Sequence, residues 1–373
     1  MIELLSARAV ENEGFWLKRI RKEAVSAIEC LTPDKSLSDT GLEAARIIGQ
    51  QEKPEISING GAADIMQLGQ DEWKRIYENA VIRHDEDFFT ALNTAVFNAG
   101  TMISVPKGGR AEINRKIVSK GASIIRTVIM LEEGSSLSFT DTAESAERNF
   151  FHSEAMEIIM KENSNLDLTF INSLNNNTVS VFNRKAVLGE NSSISWSTLT
   201  SGSSICKTRR QTRLAGQGAS VKDAEIMLSA GSQRFDVRAD IIHEGRHTQS
   251  NVLAKGILAG ESRQKAYGNV NIKDTAKGTN SVLEEHSIIL SPGAKADSIP
   301  GLEIETNDVT AKHAATCTQL DEEKLFYITS RGVSPTEARK LVTRGFLASA
   351  IGKMSNKELL MENAEKWLQH SAC

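Results

Sequence analysis

The spacing of apolar residues changes twice along the chain. In "EGFWLKRIRKEAVSAIECL" (13–31), Trp16, Ile20, Ala24 and Ile28 recur every fourth position while Lys18, Arg21 and Lys22 fall on other faces, which predicts a helix. A second helical pattern runs over residues 71–99 and ends in "ALNTAVFNAG", with Gly100 placed as its C-cap. Between the two, "QEKPEISINGGAAD" reads as a linker carrying a short strand. From about residue 101 the period drops to two. "NLDLTFI" (165–171), "TVSVF" (178–182), "SISWSTL" (193–199) and "NVNI" (269–272) alternate as strands do, separated by turns such as "LGENSS", "LAGQGAS" and "SPGAKAD". After residue 318 helical signals return. Ser334-Pro335-Thr336-Glu337 is a capping box with proline at the first helical position, Gly332 stops the helix before it, and Ser355 with Glu358 makes a second box. Between the boxes Leu341, Val342, Phe346 and Leu347 form an apolar stripe on a segment too small to bury it alone, so the stripe is a candidate partner-binding face.

The strand region also repeats. Stacking "EGSSLSF", "NSNLDLTF", "ENSSISW", "QGASVKD" and "EGRHTQS" brings Leu137, Leu166, Ile194, Val221 and Thr248 into correspondence, at steps of 29, 28, 27 and 27 residues. A near-constant step of short strands and polar turns marks a solenoid, in which each coil buries its apolar row only against neighbouring coils. The fold expected is mainly β: a right-handed parallel β-helix over 101–317, flanked by an N-terminal helical region (1–100) and a C-terminal helical region (318–373). An antiparallel sandwich is the alternative.

Composition narrows the function. With 40% hydrophobic and 25% charged residues the chain is ordinary for a soluble protein, and a net charge of −4 gives no global field for nucleic acid. The first residues lack the basic and apolar regions of a signal peptide, and no apolar run is long enough to span a bilayer, so a cytoplasmic protein without membrane contact is expected. Cys30, Cys206, Cys317 and Cys373 are scattered, as free thiols would be.

Motifs give little catalytic chemistry. No G-x-x-x-x-G-K-[ST] loop, G-x-S-x-G elbow or dinucleotide fingerprint occurs, so no enzyme activity is expected and any nucleotide hydrolysis must come from another chain. "HEGRH" (243–247) matches the zinc-peptidase H-E-x-x-H formally, but it lies in strand and turn sequence. Strand positions four apart are about 13 Å apart, too far to share one zinc ion. "KTRRQTR" (207–213) reads as a solvated basic face. His313 and Cys317, in "KHAATC", close the last strand-like stretch. They read as a packed corner or as an incomplete set of soft ligands.

A longer resemblance then comes into view. "LEIETNDVTAKHAATCTQLDEEKLFYITSRGVSPTEARKLVTRGF" (302–346), "ALNTAVFNAGTMISVPKG" (91–108), "HTQSNVLAKGILAGESRQKAYGNVNI" (247–272) and "LSPGAKADSIPGLEI" (290–304) are similar to the core of SufB and SufD, the scaffolds of the SUF iron–sulfur assembly system. The resemblance implies a right-handed parallel β-helix flanked by helices. It implies a SufC-type ABC ATPase docking on the C-terminal helices, which would account for both the missing P-loop and the stripe Leu341, Val342, Phe346 and Leu347. It also implies a dimer made at the β-helix ends with a SufB-type scaffold or a second copy, and no tightly bound cofactor but a transient iron–sulfur cluster near that interface.

SufB has E-H-E-A-T-T-S and SufD has S-H-G-A-T where this chain has Lys312-His313-Ala314-Ala315-Thr316-Cys317. The missing acidic flanks and "LDEEKLFYITSRG" favour SufD. The SufB assembly cysteine precedes a strand like "SIIL", where this chain has Glu284, Glu285 and His286. His313 corresponds to the SufD interface histidine and is the candidate transient ligand. Cys317, Cys206 and His286 are further candidates without a family role. The alternatives are a homodimeric SufB/SufD-like scaffold that itself holds the nascent cluster, and a β-helix polysaccharide-active enzyme. The second is disfavoured by three tyrosines, four tryptophans and no export signal.

Overall fold

The computed structural model describes residues 15–30, 50–67, 81–83 and 85–371. Two nine-stranded sheets form its framework. Strands β1 (Glu55–Gly61) and β2 (Asp64–Gln67) each begin one sheet, antiparallel to its first rung strand. From β3 (Ala99–Val105) to β18 (Val309–Gln319) the chain then alternates between the sheets, and each strand pairs in parallel with the strands two before and two after it. This is a parallel β-helix, with the even-numbered strands in one wall and the odd-numbered strands in the other.

The period-two pattern works because alternate side chains point into the space between the walls, where rungs stack them in columns. Leu137, Leu166, Ile194 and Val221 are hydrogen-bond register partners in successive rungs, as the repeat predicts. The next step fails. Ser250, not Thr248, stands opposite Val221, because β12 (Ser220–Ser229) has 10 residues where β10 (Ser193–Thr200) has 8. A shift of two keeps the same face, so Thr248 is still buried.

The interior is not uniformly apolar. Arg115 donates to both oxygens of Asp141 (2.9 and 2.7 Å), to Glu154 (2.5 Å) and to Thr127 (2.7 Å), all out of contact with water. Arg184 donates to the other oxygen of Glu154 at 2.9 Å and lies 3.5 Å from the centre of the Phe170 ring. Burial alone would raise the Glu154 carboxyl, but Arg115 and Arg184 outweigh it and hold it down at about 2.

Helices cover the outside. Helix α1 (Phe15–Cys30) sits on α2 (Phe88–Val96), where the Arg21 guanidinium donates to the carbonyls of Ala95 (2.6 Å) and Phe97 (3.2 Å). Of the 71–99 helical pattern, residues 71–80 lie outside the described residues, as do Cys373 and the side chain of Cys30. Helix α2 ends at Val96, short of Gly100, which belongs to β3. The reason is Asn98, whose backbone N–H donates to the Ile124 carbonyl (2.8 Å) while its side chain accepts from Ile124 N–H (3.0 Å), drawing the chain into the sheet early.

At the other end, α3 (Glu322–Thr329) is followed by α4 (Pro335–Ile351) and α5 (Lys357–Ser371). The first capping box forms, with Ser334 Oγ accepting from the Glu337 N–H at 3.3 Å. The second does not. Ser355 instead donates its N–H to Ser197 (2.9 Å) and its hydroxyl to Asp167 (3.4 Å), tying the linker to the sheet, and α5 begins only at Lys357.

Candidate functional site at the open end of the solenoid

The last rung consists of β17 (Lys295–Ile304) and β18, and among the described residues no strand lies beyond them. Among the described residues strand β18 pairs only with β16 (Thr279–Ile289), and from Lys312 to Gln319 each of its residues is exposed. His313 stands over Leu283 in the inward column that descends through Val252, Asp223 and Trp196. Cys317 tops another inward column, over Ser287 and Gly256. The two therefore share one face, at the mouth of the solenoid. They are not a pair, since four residues of extended strand separate them by about 13 Å.

Other predicted residues go elsewhere. His286 points out of the opposite face of β16, with Nδ1 hydrogen-bonded to the Thr316 hydroxyl at 2.7 Å. Cys206 is buried on β11 (Ile205–Leu214), three rungs down in the odd-numbered wall, and burial pushes its thiol up to about 11. Cys317 is also raised, by burial and then by the Asp297 carboxylate, so neither cysteine is an activated thiolate. Among the described residues no three His, Cys, Asp or Glu side chains converge as a metal site. His243 of "HEGRH" is buried with Nδ1 engaged by Thr248 (2.8 Å) and Nε2 by Ser250 (2.9 Å), which leaves no nitrogen for zinc. Burial lowers its pKa to about 4. The basic run 207–213 is split by strand parity: Arg210 turns inward to Asp223 (2.7 Å) and Glu225 (3.0 Å), while Arg209 and Arg213 pair outside with Asp87 and Glu244.

One residue at the mouth was not singled out by motif. Glu285 lies in the inward row beneath Ala315, between the columns of His313 and Cys317. Its carboxyl reaches the opposite wall, where the Gly268 N–H and the Ser298 side chain hydrogen-bond to it; a Cβ on Gly268 would lie 2.7 Å from its oxygen. The other oxygen, Oε2, is buried without a partner. Burial pushes this carboxyl up to about 7, against the two hydrogen bonds. Alternation in "SVLEEHSII" carries the signal: Ser281, Leu283 and Ser287 share its row, so a glutamate there must enter the lumen.

The C-terminal stripe divides. Leu347 is fully buried with Ala350 and Ile351 against Ile226, Leu228, Leu253 and Ile257 on the outer face of the even-numbered wall, so it is core and not a contact surface. Phe346 is half-buried beneath the Lys255 ammonium, 4.1 Å from its ring centre, while that ammonium donates to the Phe346 carbonyl at 2.9 Å. Val342 is half-buried, and Leu341 is 51% exposed. Helix α3 buries no residue and adds Phe326 (75% exposed) and Tyr327 (61%) to the free surface. Leu341 also lines a shallow groove with Val333, Lys340, Arg344 and Leu368.

Comparison with known proteins agrees with this architecture. Residues 114–346 match the family described as SUF system FeS cluster assembly, SufBD core domain. The chain is 30% identical over 294 residues to the iron–sulfur cluster assembly protein SufB of Bacillus subtilis, covering 76% of this chain and 62% of that protein. It is 29% identical over 304 residues to a SufBD family protein of Staphylococcus epidermidis (79% and 64%), and 27% over 293 residues to one of Synechocystis (74% and 61%). The chain thus spans about three-fifths of the length of the curated relatives it matches. No helix among the described residues is long and apolar enough to cross a membrane. On a family match that covers most of the β-helix, its last rung and most of α4, the chain belongs to the SufBD family of iron–sulfur cluster assembly scaffolds.

Proposed function

We propose that this chain acts in the cytoplasm as a SufD-like scaffold, without a catalytic cycle of its own. It assists cluster assembly with a SufB-type partner across the open rung and a SufC-type ATPase on its C-terminal helices. The observation that carries the reading is the open end itself. An exposed edge strand presents unpaired N–H and C=O groups, and natural edges are normally blunted by charge. Here the inward rows of the last rung hold Val309, Ala311, His313, Ala315 and Cys317 on one wall, and Ala296, Ser298, Pro300, Leu302 and Ile304 on the other, with no Asp, Glu, Lys or Arg. Ile304 in this row is exposed, and Ile299 is a further exposed apolar residue on the outer face of β17. Such a mouth suits a second rung from another scaffold, with His313 as the one strong N ligand or proton-transfer group facing it. The exposed Leu341, Phe326 and Tyr327 offer the ATPase an apolar contact, with Val342 and Phe346 at its margin.

The test is reconstitution of the complex with iron and sulfide. His313→Ala should leave folding unchanged and reduce cluster yield at least about tenfold, whereas wild-type yield would remove His313 from the site. A homodimeric scaffold holding the cluster itself is the second reading, favoured by the identity to a SufB protein. A stable cluster on this chain alone would establish it.

A further inference from the structure

Away from the mouth, one cleft gathers three lysines around a single carboxylate. On the outer face of the even-numbered wall, β8 (Asn165–Ser173), β10 and β12 set Asp167, Ser195 and Lys222 side by side in direct register. The α4–α5 linker passes over them. It is fixed by the Ser355 contacts to Ser197 and Asp167 and by the Asn356 amide, which donates to Thr140 (2.6 Å) and Thr169 (3.3 Å). Floor and linker enclose about 270 Å³, lined by Lys222, Lys353 and Lys357 with the Ser195 and Ser355 hydroxyls.

Elsewhere on this solenoid, surface lysines are commonly matched to an acid on a neighbouring rung, as Lys107 is to Glu133, Lys116 to Glu144, Lys161 to Glu132 and Lys273 to Glu305. Lys222, Lys353 and Lys357 form no ion pair with any described residue, and the one carboxylate lining the cleft, Asp167, offsets at most one of their three charges. Lys353 also lies close enough to Lys255 to lower that amine, after the effect of burial. Like charges so placed repel one another unless an anion sits among them. The volume falls just below that of pockets holding drug-sized ligands, leaving room for one or two tetrahedral oxyanions. Lysine ammoniums bind phosphate as adjustable point charges, and the Ser195 hydroxyl can donate to a remaining oxygen.

We propose that this cleft is an oxyanion site for a phosphate or pyrophosphate group, held by Lys222, Lys353 and Lys357 with Ser195. The inference does not depend on the scaffold reading. Calorimetric titration of the full chain at low ionic strength with inorganic phosphate and with pyrophosphate should give saturable binding at one site, tighter for pyrophosphate. Lys222→Gln and Lys353→Gln should each weaken it about tenfold, and Asp167→Asn should tighten it about threefold by removing a like charge. Lys277→Gln, an exposed turn lysine outside the cleft, should leave it unchanged. All four residues are exposed, so these exchanges leave the core intact. A parallel titration with a phosphoserine peptide separates the sources: tighter binding than pyrophosphate assigns the group to a phosphorylated side chain, weaker binding to a small molecule. Absence of saturable binding for all three probes, or equal binding in the lysine variants and wild type, would overturn the site.

Discussion

Arg115 and His313 both stand in inward rows of the same sheet, at opposite ends of the solenoid, and their surroundings could hardly differ more. Arg115 is sealed between rungs with Asp141, Glu154 and Thr127 as partners, whereas His313 is exposed, with a strand beneath it and, among the described residues, none above. A solenoid gives each rung two neighbours except at its ends. Inside, the lumen can hold whole charges because adjacent rungs supply their counter-charges. In the last rung the inward rows carry no Asp, Glu, Lys or Arg, as suits a surface to be covered by something outside the chain. Buried charge and open end are thus two results of one stacking rule.

The comparison is broken most severely from the inside. Arg115→Leu leaves Asp141 as an uncompensated buried carboxylate and Glu154 with Arg184 as its sole cationic partner, and should cost about 3–5 kcal/mol in a denaturant titration, enough to lose soluble protein. A cost below about 1 kcal/mol would mean that the network is hydrated and not sealed.

Acid attacks the same interior. Burial holds His152 and His243 at about 4, below the ordinary imidazole value, so in the pH range between the two the unfolded chain binds more protons than the folded one. Their contribution is present above about pH 6.5 and lost as pH falls through 4, up to about 3 kcal/mol for each. Unfolding midpoints measured from pH 7 to 4 should fall steeply, and less so in His243→Gln.

Glu285 has the opposite sign. Its folded pKa of about 7 exceeds the unfolded value, so the folded state binds the extra proton and stability declines as pH rises from about 4.5 through 7. Glu285→Gln should match wild type near pH 4.5 and exceed it by about 1–3 kcal/mol at pH 8. Equal stability at both pH values would mean that the carboxyl finds a partner in solution.

The smallest effect on folding belongs to the mouth. Ile299→Lys, on an exposed position of β17, should change stability by less than about 0.5 kcal/mol yet prevent association through the last rung, read by sedimentation. Unaltered association would place the scaffold interface elsewhere.

Much of this was legible in the sequence. Alternation settled which side chains enter the lumen, because strand parity is a local property, and it separates Arg210 from Arg209 and Arg213 without reference to any partner. The repeat placed four successive rungs of one column correctly and slipped by two at Thr248, since the length of β12 is fixed by how far it runs along the wall and not by its turn. Capping chemistry located α4, but the α5 boundary was decided by Ser197 and Asp167 on distant strands. A helical stripe records that something covers it, not what. Only the packed structure shows that Leu347 meets the solenoid while Leu341 stays half exposed at the rim of a groove. Likewise the sequence set His313 and Cys317 four residues apart, and it was the extended geometry of β18 that kept them from acting together. Local pattern fixes direction along and across a strand, whereas distance between elements depends on contacts made hundreds of residues away.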